Sequence, residues 1–191
     1  ALAQNRIPAV YAPTREEAVE AVRGMLSPGE VVTCGGSMTL AECGIQDLLK
    51  SGAYEFLDRT VMAPQEVYRR TFSADVFLTS ANAITAEGEL YNVDGNGNRV
   101  ASSLYGHKKV WFIVGRNKLA PTYEEALWRA RNIAAPKNAQ RLGRKTPCAV
   151  HGDRCYDCKS PERICRGMVV LWEAVANMEM EVVLIDQDLG Y

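Results

Sequence analysis

No run of apolar residues in this 191-residue chain approaches the roughly 20 that a membrane-spanning helix needs. Charge of one sign is also missing. The chain has 22 Lys and Arg against 23 Asp and Glu, a formal net charge of -1. That balance gives no general attraction to nucleic acid or to an anionic membrane. The opening stretch, ALAQNRIPAVYAPT, has no basic head followed by a long apolar segment, so no secretory signal is read there, and it begins without Met, as a trimmed chain does. A cytoplasmic location is therefore expected, where thiols stay reduced, and this counts against disulfides. There is no Walker loop and no flavin or nicotinamide fingerprint. Nor is there an internal repeat, a low-complexity tract or a linker, so residues 1–191 are read as one domain. What remains is ordinary for a folded protein: 47% hydrophobic and 24% charged residues, enough for a core without cross-links.

The pattern of elements points to an α/β fold. Thr14-Arg-Glu-Glu17 is a capping box that opens a helix with Ala18, Val19, Ala21, Val22 and Met25 on one side. Val31–Cys34 is a short apolar strand that runs into Gly35-Gly36-Ser37. The stretch from Thr39 to Gly52 reads as one helix. A further helix is expected over Pro64–Ser73, and a buried strand over Asp75–Ser80. Thr85–Val93 reads as a hairpin turning at Glu87-Gly88, and Lys109–Gly115 as the strongest strand. Thr122-Tyr-Glu-Glu125 repeats the capping box. The two apolar runs after Arg166 read as final strands, close enough in sequence to pair as a hairpin at the sheet edge. Strands alternating with helices favour a mostly parallel sheet with helices on both faces.

Three constellations carry chemistry. The first is the turn Cys34-Gly35-Gly36-Ser37-Met38-Thr39. In an open α/β sheet, ligands bind beyond the carboxyl ends of the strands. Gly35, Gly36, Ser37, Met38 and Thr39 would present backbone N–H groups to a carboxylate or phosphate; a plain tight turn would also use glycine here. The second is the polar stretch from Thr79 to Arg99. Asn96 and Asn98 suit turns, since such side chains bond their own backbone. Asn82, Glu87, Glu89, Asn92, Asp94 and Arg99 could converge on one pocket, where a carboxylate of raised pKa serves as acid or base. Lys118 and Lys137 could neutralise an anion, although isolated lysines usually sit in solvent. The third is the run Cys148, Cys155, Cys158 and Cys165, separated by six, two and six residues. Four such sulfurs can ligate zinc or a 4Fe-4S cluster. Reduced thiols and disulfides are the alternatives. Arg154, Arg163 and Arg166 would favour thiolate. Cys34 and Cys43 read as small apolar core residues, with Cys34 also a candidate reactive thiol. His107 is expected at the surface.

GGSMTLAECG, FLDR, SADVFLTSANAITAEGELYNVDGNGNRVA, VGRNKL, AAPKNAQRL and the cysteine segment ending SPERIC together resemble the lactate-utilisation (LUD) domain family, in its short cysteine-bearing branch. The resemblance spans nearly the whole chain. It implies a fold similar to that of ribose-5-phosphate isomerase and the coenzyme A transferases, where a Gly-Ser-Thr turn holds phosphate. Met38 interrupts that order here. Ser80-Ala81-Asn82 stands where those isomerases carry a catalytic Asp, and Asn cannot be a general base, so isomerase chemistry does not transfer.

Two readings follow. One is an accessory or electron-handling component of bacterial L-lactate oxidation, working beside iron–sulfur partner proteins. It would bind a small anionic metabolite at the glycine turn and a cluster at the four cysteines. The other is a stand-alone isomerase- or transferase-like enzyme for a phosphorylated or thioester metabolite. Glu42, Glu87 and Asp94 would then transfer protons, with Asn82 and Arg99 orienting the substrate. Structural zinc in place of the cluster, and a homo-oligomeric state, are compatible with either.

Overall fold

The computed structural model describes residues 1–191. Its framework is a six-stranded parallel sheet built from β1 (Ala9–Ala12), β2 (Val31–Cys34), β3 (Glu55–Phe56), β4 (Val76–Thr79), β7 (Lys109–Gly115) and β10 (Glu179–Ile185), in the order β1-β10-β7-β4-β2-β3. A second, four-stranded sheet joins β5 (Ala83–Thr85), β6 (Leu90–Asp94), β8 (Leu119–Ala120) and β9 (Gly167–Leu171), in the order β8-β5-β6-β9.

The central strands are apolar at nearly every position because both of their faces are covered, as parallel sheets require. Val76, Leu78, Trp111, Ile113, Val183 and Ile185 point to one face. There they meet α1 (Arg15–Met25), α2 (Met38–Cys43) and α3 (Ile45–Leu49) through Ala18, Val22, Leu40, Cys43, Ile45, Leu48 and Leu49. The alternate residues Phe77, Val110, Phe112, Val114 and Val182 point the other way and pack on Ile84, Leu90 and Leu171 of the second sheet. Beside that sheet, α4 (Pro64–Thr71) and α5 (Asn98–Ser102) lie over Phe77. The outer face of the second sheet is closed by α6 (Tyr123–Arg129), whose Ala126 packs with Ala83 and Tyr91.

Local signals held where they were strongest. Thr14 caps α1 and Thr122 caps α6, each accepting from the backbone N–H three residues on. The hairpin is formed by β5 and β6. Two expectations are corrected. The stretch from Thr39 to Gly52 is not one helix: Gly44 takes a left-handed conformation (φ 85°) and splits it into α2 and α3. The last two strands do not pair at an edge. β10 lies inside the large sheet between β1 and β7, while β9 pairs antiparallel with β6. The sequence of β10 explains this. Met180, Val182, Val183 and Ile185 are buried on alternate faces, as in a strand covered on both sides within a parallel sheet. No helix is long and apolar enough to cross a membrane.

Because the six strands run parallel, the ends of β2, β4, β7 and β10 emerge on one side. The segments that follow them are Gly35–Thr39, Ser80–Asn82, Arg116–Lys118 and Asp186–Tyr191.

Candidate functional site

Those segments surround a cavity of about 270 Å³. Gly36, Ser37, Met38 and Thr39 line it from β2, and Asn82 from β4. Asp94, Asn96, Asn98 and Arg99 approach from the second sheet and α5, and Lys118 from the loop after β7. The glycine turn and the asparagine-rich stretch, far apart in sequence, thus share one wall. Gly35 lies just behind it. A Cβ there would sit 2.8 Å from Arg99 Cγ and 3.3 Å from the Phe77 ring, so only glycine lets Arg99 lie flat against the turn.

Lys118 is the centre of this arrangement. It is only 3% exposed, and its Nζ donates to Thr39 Oγ1 (2.6 Å) and Ser80 Oγ (2.9 Å). No carboxylate pairs with it. Burial pushes its pKa down to about 7, with the Arg129 and Arg99 guanidiniums adding to the effect and Glu42 opposing it. The amine therefore titrates near neutrality, whereas an exposed lysine titrates near 10.4.

The surroundings are strongly basic. The side chains of Arg59, Arg99, Lys118, Arg141 and Arg144 line the cavity, against a single acidic side chain, Asp94. Asp94 is already engaged. Its Oδ1 accepts from Asn96 N–H (3.1 Å), its Oδ2 accepts from Arg99 N–H (2.8 Å), and it pairs with Arg99 Nε at 3.7 Å. Arg99 also donates to Asn92 Oδ1 (3.3 Å) and to the Val93 carbonyl. Arg129 bonds the carbonyls of Asn117 (2.8 Å) and Asn82. None of the five lining cations other than Arg99 has an acidic partner. The positive charge of the cavity comes from these side chains. With six residues, α2 is too short for its dipole to add much.

Arg141 reaches the wall from the end of a helix that changes its winding, and Arg144 from just past the turn that follows it. α6 passes into a π-helical turn at Ala130–Ala134 and then into α7 (Ala135–Arg141), with Ala134, Ala135 and Asn138 on the cavity wall. Such π insertions rotate the following residues relative to a regular helix and are frequent at functional sites.

The remaining residues singled out in the sequence fall elsewhere. Asn92 is buried behind Arg99 and orients it. Glu89 accepts from Tyr91 Oη (3.1 Å) and Thr85 Oγ1 (3.2 Å), on the second sheet and away from the cavity. Glu87 is exposed at the hairpin tip, and Lys137 is exposed on α7. Glu42 accepts the Gly190 N–H at 2.7 Å from outside the cavity. His107 is buried, contrary to the surface position expected: its Nδ1 lies 3.0 Å from the Ala74 carbonyl and its ring stacks on Phe77 at 5.2 Å. Cys34 is buried, and that burial pushes its thiol up to about 11, so it is no thiolate at neutral pH. Arg59, Ser80, Arg141 and Arg144 were not foreseen. One signal was present: from Ala126 to Gly152 the chain has no Asp or Glu but six Lys and Arg.

All six cysteines are free. The four in the C-terminal segment do not form a ligand set, and nowhere do three or more His, Cys, Asp or Glu side chains come together to hold a metal. Cys148, at the start of α8 (Pro147–His151), lies 3.2 Å from Thr146 Oγ1. Cys155 accepts from Asp157 N–H (3.4 Å) and Arg131 (3.7 Å), and Cys165 accepts from Arg163 (3.5 Å). Two of the four sulfurs are thus hydrogen-bonded by separate guanidiniums, Cys155 by Arg131 and Cys165 by Arg163. As placed, these residues do not fit zinc or an iron–sulfur cluster. Thiol titration with a chromogenic disulfide at pH 8 should then find the four half-buried thiols reacting in the native protein and all six after denaturation. Two or fewer native thiols would mean that the segment closes its sulfurs in a centre or in disulfides.

Among solved structures, the chain is similar to the crystal structure of a DUF162 family protein from Deinococcus radiodurans. The identity is 16%, the TM-score 0.56, and the match covers 96% of this chain and 91% of that one. That likeness shows the fold. A ribose 5 phosphate isomerase A from Neisseria gonorrhoeae aligns over 59% of this chain and 57% of its own, at 17% identity and a TM-score of 0.38. No curated protein matches. A family model described as the LUD domain matches residues 1–185, nearly the full length, and the chain belongs to the LUD domain family.

Proposed function

We propose that this lactate-utilisation-type protein binds a small anionic metabolite, preferentially one carrying a phosphate, in the basic cavity at the carboxyl ends of its parallel strands. One observation carries the reading: Lys118 Nζ is buried against two hydroxyls with no acidic partner. A buried ammonium without a counter-charge is costly, and the cost is removed when an anion supplies the charge. The count of lining charges favours phosphate over a lone carboxylate such as lactate. Five cations against one internally bonded carboxylate would remain under-neutralised by a single negative charge. Accessory or electron-handling work in lactate oxidation is compatible with such a site, but the cysteine segment adds no support to the electron-handling part.

A second reading, an enzyme acting on the bound metabolite, is favoured by the same lysine. With its pKa pushed to about 7, its amine can take or give a proton at neutral pH. Among the three acids expected to transfer protons, only Asp94 lines the cavity.

The test is calorimetric binding of sulfate, phosphate and lactate. Sulfate does not titrate between pH 6 and 9, so any pH dependence belongs to the protein. An anion next to Lys118 favours its charged form and raises its pKa. Above about pH 7 the free protein must therefore take up a proton in order to bind. Sulfate affinity should be level below pH 7 and should fall by up to about tenfold per pH unit above it, with proton uptake revealed by buffers of different ionisation enthalpy. Phosphate should bind more tightly than lactate. A flat profile from pH 6 to 9, or no binding of either oxyanion, would sink the reading.

A further inference from the structure

A second cavity of about 200 Å³ adjoins the first and shares Arg59, Asn96 and Asn98 with it. Its character is different. Val67, Tyr68, Thr71 and Phe72 of the α4 region form one side, and Phe77, Thr33 and Cys34 of the large sheet form the floor. Arg59 is its one charged lining residue; it is exposed and stands at the boundary between a basic chamber and one with more apolar surface. The wall of the apolar chamber also holds Ser102, which is fully buried and whose Oγ has no hydrogen-bond partner. Buried hydroxyls are normally satisfied, and one left over in a cavity wall marks a place for a polar atom of a guest. His107 stacks on Phe72 and Phe77 behind the same chamber, and its Nε2 is likewise without a partner.

Resting on the anion reading above, we propose that the two chambers form one bipartite site for a phosphate monoester. The phosphate would lie against Lys118 and Arg99, and a ring-sized apolar group would enter the α4 chamber. Arg59 would sit over the ester junction, and a hydrogen-bonding atom on the apolar group would reach Ser102. Size supports the assignment, since a protein cavity of roughly 150 Å³ accommodates a benzene ring. The aromatic and aliphatic wall of Val67, Tyr68, Phe72 and Phe77 would hold the ring, and polar groups placed around it are the usual way a site fixes a ligand's orientation.

The wild-type protein is enough for the first test. Calorimetric affinities would be measured for inorganic phosphate, methyl phosphate and phenyl phosphate at one pH. Phenyl phosphate is expected to bind about 30-fold more tightly than methyl phosphate, which should resemble phosphate itself. The variant Thr71→Phe fills the apolar chamber, and on that variant the phenyl-to-methyl ratio should fall to within about threefold. Equal binding of phenyl and methyl phosphate by the wild type would overturn the bipartite site and leave the anion site standing. Binding of none of the three would overturn both. A ratio that survives Thr71→Phe would place the ring elsewhere and also overturn it.

Discussion

Replacing Lys118 with Met should weaken sulfate and phosphate binding by about a thousandfold, yet make the unliganded protein more stable below pH 7. The two effects share one origin. In the free chain, the ammonium is held 3% exposed with only Thr39 and Ser80 for company and with Arg99 and Arg129 nearby. Its folded pKa of about 7 lies well below the ordinary lysine value near 10.5. At 1.36 kcal/mol per pH unit, that gap sets a ceiling of about 5 kcal/mol on the strain of keeping the charge buried. The sign follows from proton counting. Between about pH 7 and 10.5 the unfolded chain holds more protons on this group than the folded one, so stability rises with pH through that window. It is lost as pH falls towards 7, and below 7 the full penalty is present.

Methionine has nearly the same length and no charge, so it removes the penalty. It also leaves the Thr39 and Ser80 hydroxyls without Nζ, at a cost of about 1 kcal/mol each. The expected net gain is about 2 kcal/mol at pH 6, shrinking to nothing or turning negative near pH 10. Urea unfolding of the two proteins at several pH values measures it. With the anion bound, the balance reverses, because losing the buried partner of a bound charge costs about 4 kcal/mol, which is the thousandfold loss of affinity. A variant that binds sulfate within tenfold of the wild type would show that the anion does not sit against Lys118. A variant less stable at pH 6 would show that the lysine is held by an acid after all.

The same lysine marks the limit of what could be read from the chain. Elements whose signals are local were legible: the capping boxes at Thr14 and Thr122, the strand-and-glycine turn at Cys34-Gly35-Gly36, and the hairpin around Gly88. The burial of Lys118 depends on Thr39 and Ser80, which lie 79 and 38 residues away, and nothing next to Lys118 announces it. The misplacement of β10 has a similar cause. Its neighbours β1 and β7 are distant in sequence, whereas β9 is near, and proximity along the chain was mistaken for pairing. Gly44 was read as one more helical residue, although a glycine ending one apolar run and starting another is also how a left-handed break is written. The cysteine run is legible only as spacing. That spacing suits a shared centre, while in the fold Arg131 and Arg163 each bond one of the sulfurs. By contrast, the meeting of the glycine turn with Ser80-Ala81-Asn82 was legible, because in a parallel sheet the segments that follow strand ends emerge on the same side. Asp94, Asn96, Asn98 and Arg99 reach the same wall by way of the second sheet and α5, a route that strand order alone does not give.

Asp94 is where the roles of anchor and acid–base group can be separated. Asp94→Ala should destabilise the protein by about 4 kcal/mol. Both carboxylate oxygens accept backbone N–H groups at the turn into α5, and the partner Arg99 is itself largely buried. Removing the carboxylate leaves those donors and a buried guanidinium without their acceptor, the situation in which losing one member of a buried pair costs about 3–5 kcal/mol. Asp94→Asn keeps one carbonyl oxygen for the turn and should lose only about 2 kcal/mol. Anion binding should move the other way. Asp94 is the only acidic side chain on the cavity wall, so neutralising it in Asp94→Asn removes a repulsive charge. At a separation of about 6 Å and an effective dielectric near 20, the bare repulsion is about 3 kcal/mol for each negative charge of the anion, and screening by Arg99 and relaxation cut it well below that, so sulfate should bind at least several-fold more tightly. Chemical denaturation and calorimetry on the two variants measure both quantities. A loss below about 1 kcal/mol in Asp94→Ala would show that the carboxylate is not the anchor of this turn. Weaker sulfate binding in Asp94→Asn would show that the anion lies beyond its field, or that Arg99 needs the full negative charge to stay in place.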